Sequence, residues 1–188
     1  DQFFGAVRAA RATHGAGDRR TTLIHGQLIR PDQVPVLAEL EIFPSLFPMH
    51  TFYWGDWYDE ILGPEHAQRI SPMRSVLDLG LRATSHTDAP VALPNLLQVM
   101  WATVNRVSRS GKVMGPDERL TPLEALKTIT LWGAANHFED DEKGSLEPGK
   151  RADLVILSGN PLRVEPMKLN QLTVLATIKD GVTVYEAP

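Results

Sequence analysis

His25, His50 and Asp88 stand in three short segments, LIHG (Leu23–Gly26), FPMH (Phe47–His50) and SHTDAPV (Ser85–Val91), each preceded by an apolar or β-prone run. Two imidazoles and a carboxylate are donors that a divalent ion such as zinc accepts at about 2.0–2.2 Å. An ion held in this way lowers the pKa of its water from about 15.7 toward 7 and polarises a carbonyl oxygen. A carboxylate beside it can take the water's proton and hand it to a leaving nitrogen. Each residue also has an ordinary structural use. A histidine at a strand end is commonly just hydrogen-bonded, and an aspartate before Ala-Pro can close an Asx turn. Residue type and spacing leave both readings open.

Spacing places the three donors on a repeating scaffold. A strand, a helix and two short loops take roughly 25–35 residues. The interval from 25 to 50 fits one such unit, and that from 50 to 88 fits two if one is abbreviated. In a parallel α/β barrel the carboxyl ends of successive strands share one rim, where chemistry is done. His86, two residues before Asp88, points the same way along a strand of period 2 and is a candidate substrate contact. The aromatic run Phe52, Tyr53, Trp54, Trp57 and Tyr58 reads either as core packing or as a substrate wall, with Trp54 the best candidate for the wall. His14, His66 and His137 read as surface residues near helix ends.

The elements that must carry these residues follow from periodicity. Residues 1–13 predict a helix with Phe3, Phe4 and Val7 on one face. Thr21–His25 predicts a buried strand, and Pro31 opens a helix carrying Val34, Leu37 and Leu40. Glu41–Phe47 is the next strand, with Pro44 weakening its centre. His50–Gly63 reads as a long aromatic loop, Ile70–Met73 as a very short strand, and Arg74–Gly80 as a short helix. Leu81–Ser85 predicts a strand and Asn95–Arg109 a helix. Thr121-Pro122-Leu123-Glu124 is a capping box that opens a helix ending near His137. After Gly144 the period changes: Ala152–Leu157 is an apolar strand, and Val174–Ile178 pairs with Val182–Tyr185 across Asp180-Gly181. The expected order is βα units over residues 1–143, then a small antiparallel β portion over 144–188.

Composition narrows the class. The 188 residues, 43% hydrophobic and 22% charged, suit a soluble globular domain. A net charge of −4 with both signs interspersed provides no basic stripe, so nucleic acid is not an expected partner. No apolar run approaches the roughly 18 residues that span a bilayer, so no membrane role is expected. Cysteine is absent, which removes thiolate metal sites and leaves the compartment open between cytoplasm and periplasm. The chain opens DQFFGAVRAARATHG, inside a helical pattern, and reads as a piece of something longer.

Particular segments also resemble a known family. GSLEPGKRADLVIL (Gly144–Leu157) is similar to the C-terminal signature of the amidohydrolase superfamily, and TPLEALKTITLWGAA (Thr121–Ala135) resembles the helix before it. SHTDAPV resembles the last barrel strand with its metal-site aspartate, and Ser71-Pro72-Met73-Arg74 the short seventh-strand segment. The HTFYWGDW stretch and the Asp-Ala-Pro-Val ending point to the amidohydrolase 3, or YtcJ-like, subgroup. The resemblance implies an α/β fold: the C-terminal half of a (β/α)8 TIM barrel, strands 5–8, followed by strands of the small amidohydrolase β-sandwich. It implies His25 and His50 as the fifth- and sixth-strand ligands and Asp88 as the eighth-strand aspartate that touches the metal and acts as general base. The implied cofactor is zinc, one or two ions in the full-length protein, and the implied reaction is hydrolysis of a C–N bond in a small molecule.

Two departures stand out. Many relatives place a glutamate before the fifth-strand histidine, where this chain has Ile24. The first-strand His-x-His pair and the fourth-strand bridging ligand have no counterpart here. The chain is therefore expected, by itself, to be inactive and largely metal-free. An open half-barrel with unpaired edges is expected to self-associate, as a homo-oligomer. Two rival functions remain: a catalytically silent binding or regulatory protein on the same scaffold, and a lactonase or phosphoesterase.

Overall fold

The computed structural model describes residues 1–188 and resolves into two three-stranded sheets with helices around the first. The elements run α1 (Gln2–His14), β1 (Thr22–His25), α2 (Val34–Glu39), β2 (Phe43–Leu46), α3 (Met49–Leu62), α4 (Pro64–Ala67), α5 (Met73–Leu77) and β3 (Thr84–Ser85). They continue with α6 (Leu96–Asn105), α7 (Pro122–Ile129), α8 (Leu131–Asn136), β4 (Leu154–Leu157), β5 (Val174–Lys179) and β6 (Val182–Glu186). The chain is thus mixed α/β. No helix is long and apolar enough to cross a membrane.

The first sheet is parallel, in the order β1-β2-β3. Its strands differ in cover: β2 is buried throughout, whereas β1, expected to be buried, leaves Ile24 more than half exposed. Leu46, at the end of β2, pairs with His25 on one side and with Ser85 on the other. The carboxyl ends of all three strands therefore lie in one row. Beneath them Leu37, Ile42, Phe47, Met73, Val76, Val99 and Met100 form a close-packed core. Helix α6 is buried along nearly its whole length, from Val99 to Asn105, and begins with Asn95 accepting a bond from the Gln98 amide. Helix α7 has the expected capping box, with Thr121 and Glu124 bonding each other's backbone amides.

Two expectations fail in this half. The aromatic stretch after His50 is not a loop: Met49–Leu62 is a fourteen-residue helix. Its ring-rich composition favours strands and hides the helical period. Close packing nonetheless fixes it, since a Cβ on Gly55 would sit 3.1 Å from Met114 Cγ and 3.3 Å from Ser108 Cβ. Second, Ile70–Met73 forms no strand. Ser71 takes a left-handed φ of 48° and leads directly into α5, and β2 pairs with β3 with nothing between them. The parallel sheet has three hydrogen-bonded strands, where four were expected. The third strand is also shorter than Leu81–Ser85, only Thr84–Ser85.

The second sheet is antiparallel, β4-β5-β6, and the Asp180-Gly181 turn closes the β5–β6 hairpin as expected. It is poorly covered: Val155, Ile156, Val182, Val184 and Tyr185 are all about half exposed or more. Between β4 and β5, the 3-10 turn Pro166–Gln171 is fastened to α6. Leu169 is fully buried, the Trp101 indole donates to the Met167 carbonyl at 3.0 Å, and Asn105 Nδ2 donates to the Pro166 carbonyl at 2.8 Å.

Candidate functional site

The row at the carboxyl end of the parallel sheet gathers the residues expected to do chemistry. His25 is the last residue of β1, His50 lies in the first turn of α3 after β2, and His86 and Asp88 follow β3. The His25 ring centre lies 5.9 Å from that of His50 and 5.0 Å from that of His86. His25 Nε2 is 3.8 Å from Asp88 Oδ2. Trp54, one turn along α3, leans against His50 at 5.7 Å between ring centres. All five candidate residues thus belong to one cluster. His14, His66 and His137 are exposed and lie outside it.

Phe47 is the floor of this cluster, and the sequence reading did not single it out. Its ring stacks on His86 (5.1 Å, 17° between planes) and meets His50 edge-on at 4.6 Å. Ser71 was also missed: its hydroxyl donates to the Phe47 carbonyl at 3.1 Å and lies 3.5 Å from His50 Nδ1. Phe47 could have been read from its place in FPMH, directly after the strand end. A lone serine carries no such signal.

Electrostatics keep two of the imidazoles uncharged. Burial, then the neighbouring His25 and His86, push the His50 pKa down from 6.5 to about 4, against the opposing pull of Asp88. Burial, then His25, also lowers that of His86, while Asp88 and a backbone hydrogen bond at Ser45 oppose the shift. A neutral imidazole keeps a lone pair free, which is what a metal or a proton donor needs.

The donor set suits a divalent ion in kind. His25 Nδ1 and His86 Nε2 are buried with no hydrogen-bond partner, an unusual state for polar atoms that a ligand would relieve. As placed, however, no three His, Asp or Glu groups close on a common point. Holding an ion here requires the side chains to rotate, or further donors to join them.

Comparison with known proteins places this arrangement. The sequence profile of the Amidohydrolase family matches residues 1–185. The chain belongs to the amidohydrolase family. This family chain is 34% identical over 188 residues to the N-substituted formamide deformylase of Arthrobacter pascens, covering 99% of the chain and 34% of that protein. Its identity to YtcJ of Bacillus subtilis is 25% over 189 residues, 99% of the chain and 35% of that protein. Among solved structures, an uncharacterized metal-dependent hydrolase from Pyrococcus furiosus superposes with a TM-score of 0.68 at 27% identity, over 87% of this amidohydrolase chain and 32% of the other. The chain therefore spans about a third of the length of the relatives it matches.

Proposed function

We propose that this chain carries part of the centre of a metal-dependent hydrolase that cleaves a C–N bond, an amide or N-acyl group, in a small molecule. The observation that supports it most is the strand register, which aligns the carboxyl ends of β1, β2 and β3 and brings His25, His50, His86 and Asp88 into one cluster. The likeness to a formamide deformylase and to a metal-dependent hydrolase supports both the reaction class and the need for an ion.

In this reading β1–β3 and their helices, residues 1–143, belong to the C-terminal half of a (β/α)8 barrel, and residues 144–188 to the small β-sandwich. His25 and His50 would hold a divalent ion, zinc being suited to the donors, with one or two such ions in the full-length protein. Such an ion would activate water and polarise the scissile carbonyl. Asp88 would be a further ligand and is the base placed to take a proton from an attacking water and return it to the leaving nitrogen. His86 and Trp54 orient the substrate. Metal analysis of the full-length protein, with hydrolysis of matched amide, lactone and phosphoester substrates, tests this. Turnover of the amide alone supports the reading, and turnover of only an ester sinks it.

One observation favours a second reading. Because no three donors close on a point, a catalytically silent binding protein on the same scaffold also fits the geometry. Full-length protein that holds no metal after purification in zinc would support that reading instead.

A further inference from the structure

Arg106 is fully buried, yet no carboxylate pairs with it. It caps α6 at a left-handed φ of 50°, and its guanidinium donates only to main-chain carbonyls: Met114 at 2.6 Å, Ser71 at 3.0 Å and Ile70 at 2.7 Å. Placing an unpaired cation in the core is costly, and three well-placed acceptors offset that cost only while the loops they belong to stay put. Arg106 is therefore a clamp on the turn at residues 70 and 71.

That turn is the junction of the two histidine-bearing loops. The Ser71 amide donates to the Gln27 carbonyl at 3.0 Å, two residues past His25. The Ser71 hydroxyl donates to the Phe47 carbonyl at 3.1 Å, three residues before His50. The same hydroxyl oxygen lies 3.5 Å from His50 Nδ1. A serine hydroxyl has a single proton. With that proton on the shorter contact at Phe47, the oxygen is left as an acceptor, and a hydrogen on Nδ1 is the tautomer that completes the contact.

We propose that Ser71, held by Arg106, is a positioning residue that fixes the tautomer of His50, with Nδ1 protonated and the Nε2 lone pair free. Its meaning for catalysis rests on the reading of His50 as a metal donor, because a donor fixed in the correct tautomer binds without first rearranging. The tautomer itself does not depend on any metal.

The test is nitrogen NMR of histidine-labelled, metal-free chain at neutral pH, with the His50 signals assigned by their loss in His50→Gln. The expected spectrum has the proton on Nδ1. Ser71→Gly tolerates the left-handed backbone and removes the whole CH2OH side chain, hydroxyl included, so the Nδ1–H form should lose its majority there. Arg106→Lys, which cannot reach all three carbonyls, should shift the ratio in the same direction, and Ser75→Ala should leave it unchanged. A wild-type ring protonated on Nε2, or a ratio unmoved in Ser71→Gly, overturns the proposal. Neither result bears on whether the full-length protein binds metal, so this failure and that of the metal reading are distinguishable.

Discussion

His25 Nε2 and Asp88 Oδ2 lie 3.8 Å apart, and both residues have left-handed backbones, at φ 64° and 51°. Neither is glycine, so each conformation is unfavourable by itself and persists because the surrounding fold imposes it. Two such residues facing each other at strand ends are what a site held in place by its scaffold looks like.

This pairing leads to the first prediction. In the full-length protein, Asp88→Asn should lower kcat by about 10²–10⁴ on an amide substrate, the loss expected if Asp88 is the proposed proton acceptor. His25→Ala and His50→Ala should instead weaken metal retention by more than the roughly 10–100-fold typical of losing an outer partner. Metal content and steady-state kinetics on the same preparations separate the two effects. The 188-residue chain alone, dialysed after exposure to zinc, should keep far less than one ion and hydrolyse nothing.

Phe47 holds two of the histidine rings and is itself buried. Phe47→Ala should cost about 3–5 kcal/mol, as large-to-small changes in cores do. It should also free the His86 ring, seen as sharpened or shifted His86 signals at temperatures where the variant is still folded. Phe47→Leu, which keeps much of the volume, should cost less in stability but disturb His86 equally.

Glu124 closes the capping box of α7 and accepts from Arg74 at 3.0 and 2.5 Å, joining α5 to α7. The bond to Arg74, foremost, holds its carboxyl down from 4.5 to about 2. A depressed folded pKa makes the contribution complete above 4.5 and lost as the pH falls toward 2. Allowing for solvent screening, Glu124→Gln should cost about 1–2 kcal/mol at neutral pH. Denaturant titrations should show the difference from wild type shrinking across that acid range. A constant difference at every pH would count against the linkage.

Gly115 has a left-handed φ of 61°, and a Cβ there would run into the backbone carbonyl oxygen of Gln68. Gly115→Ala should therefore destabilise by at least about 2 kcal/mol, combining backbone strain with a clash that no flexible side chain can relieve. Gly133, whose Cβ would meet open space inside α8, should tolerate alanine or gain from it.

Exposed apolar side chains on β4–β6 and at Ile24 support self-association of the 188-residue chain. Light scattering at micromolar concentration should read a dimer or larger, and Val184→Lys should lower the mass. A well-folded monomer would remove this expectation.

Much of this was legible in the residues. TLIH, the Asp180-Gly181 hairpin and the Thr121–Glu124 box use short-range signals, and each formed where expected. The meeting of His25 and His50 followed from spacing, because βα units have a narrow range of lengths, but the interval from 50 to 88, read as two units, contains no intervening strand. Helix α3 was hidden because its start lacks a capping side chain: Pro48 stands at that position. Gly55 in its middle packs against Met114 and Ser108, and Phe52 meets Trp101 edge-on, contacts that no local pattern announces. Ile70–Met73 looked like a strand from its apolar residues and from the likeness of Ser71-Pro72-Met73-Arg74 to a seventh-strand segment. Its shape is set by Arg106, which lies far along the chain and carries no motif.

The Pro166–Gln171 turn is pinned to α6 by Leu169, Trp101 and Asn105, and it divides β4 from the β5–β6 hairpin. The outer sheet therefore cannot peel away as one flap. On mild destabilisation β5 and β6, joined by their own tight turn, should part from β4 together, while the pin stays docked. Amide hydrogens of β6 should exchange with solvent first and that of Leu169 among the last, a gradient crossing a single short stretch of chain.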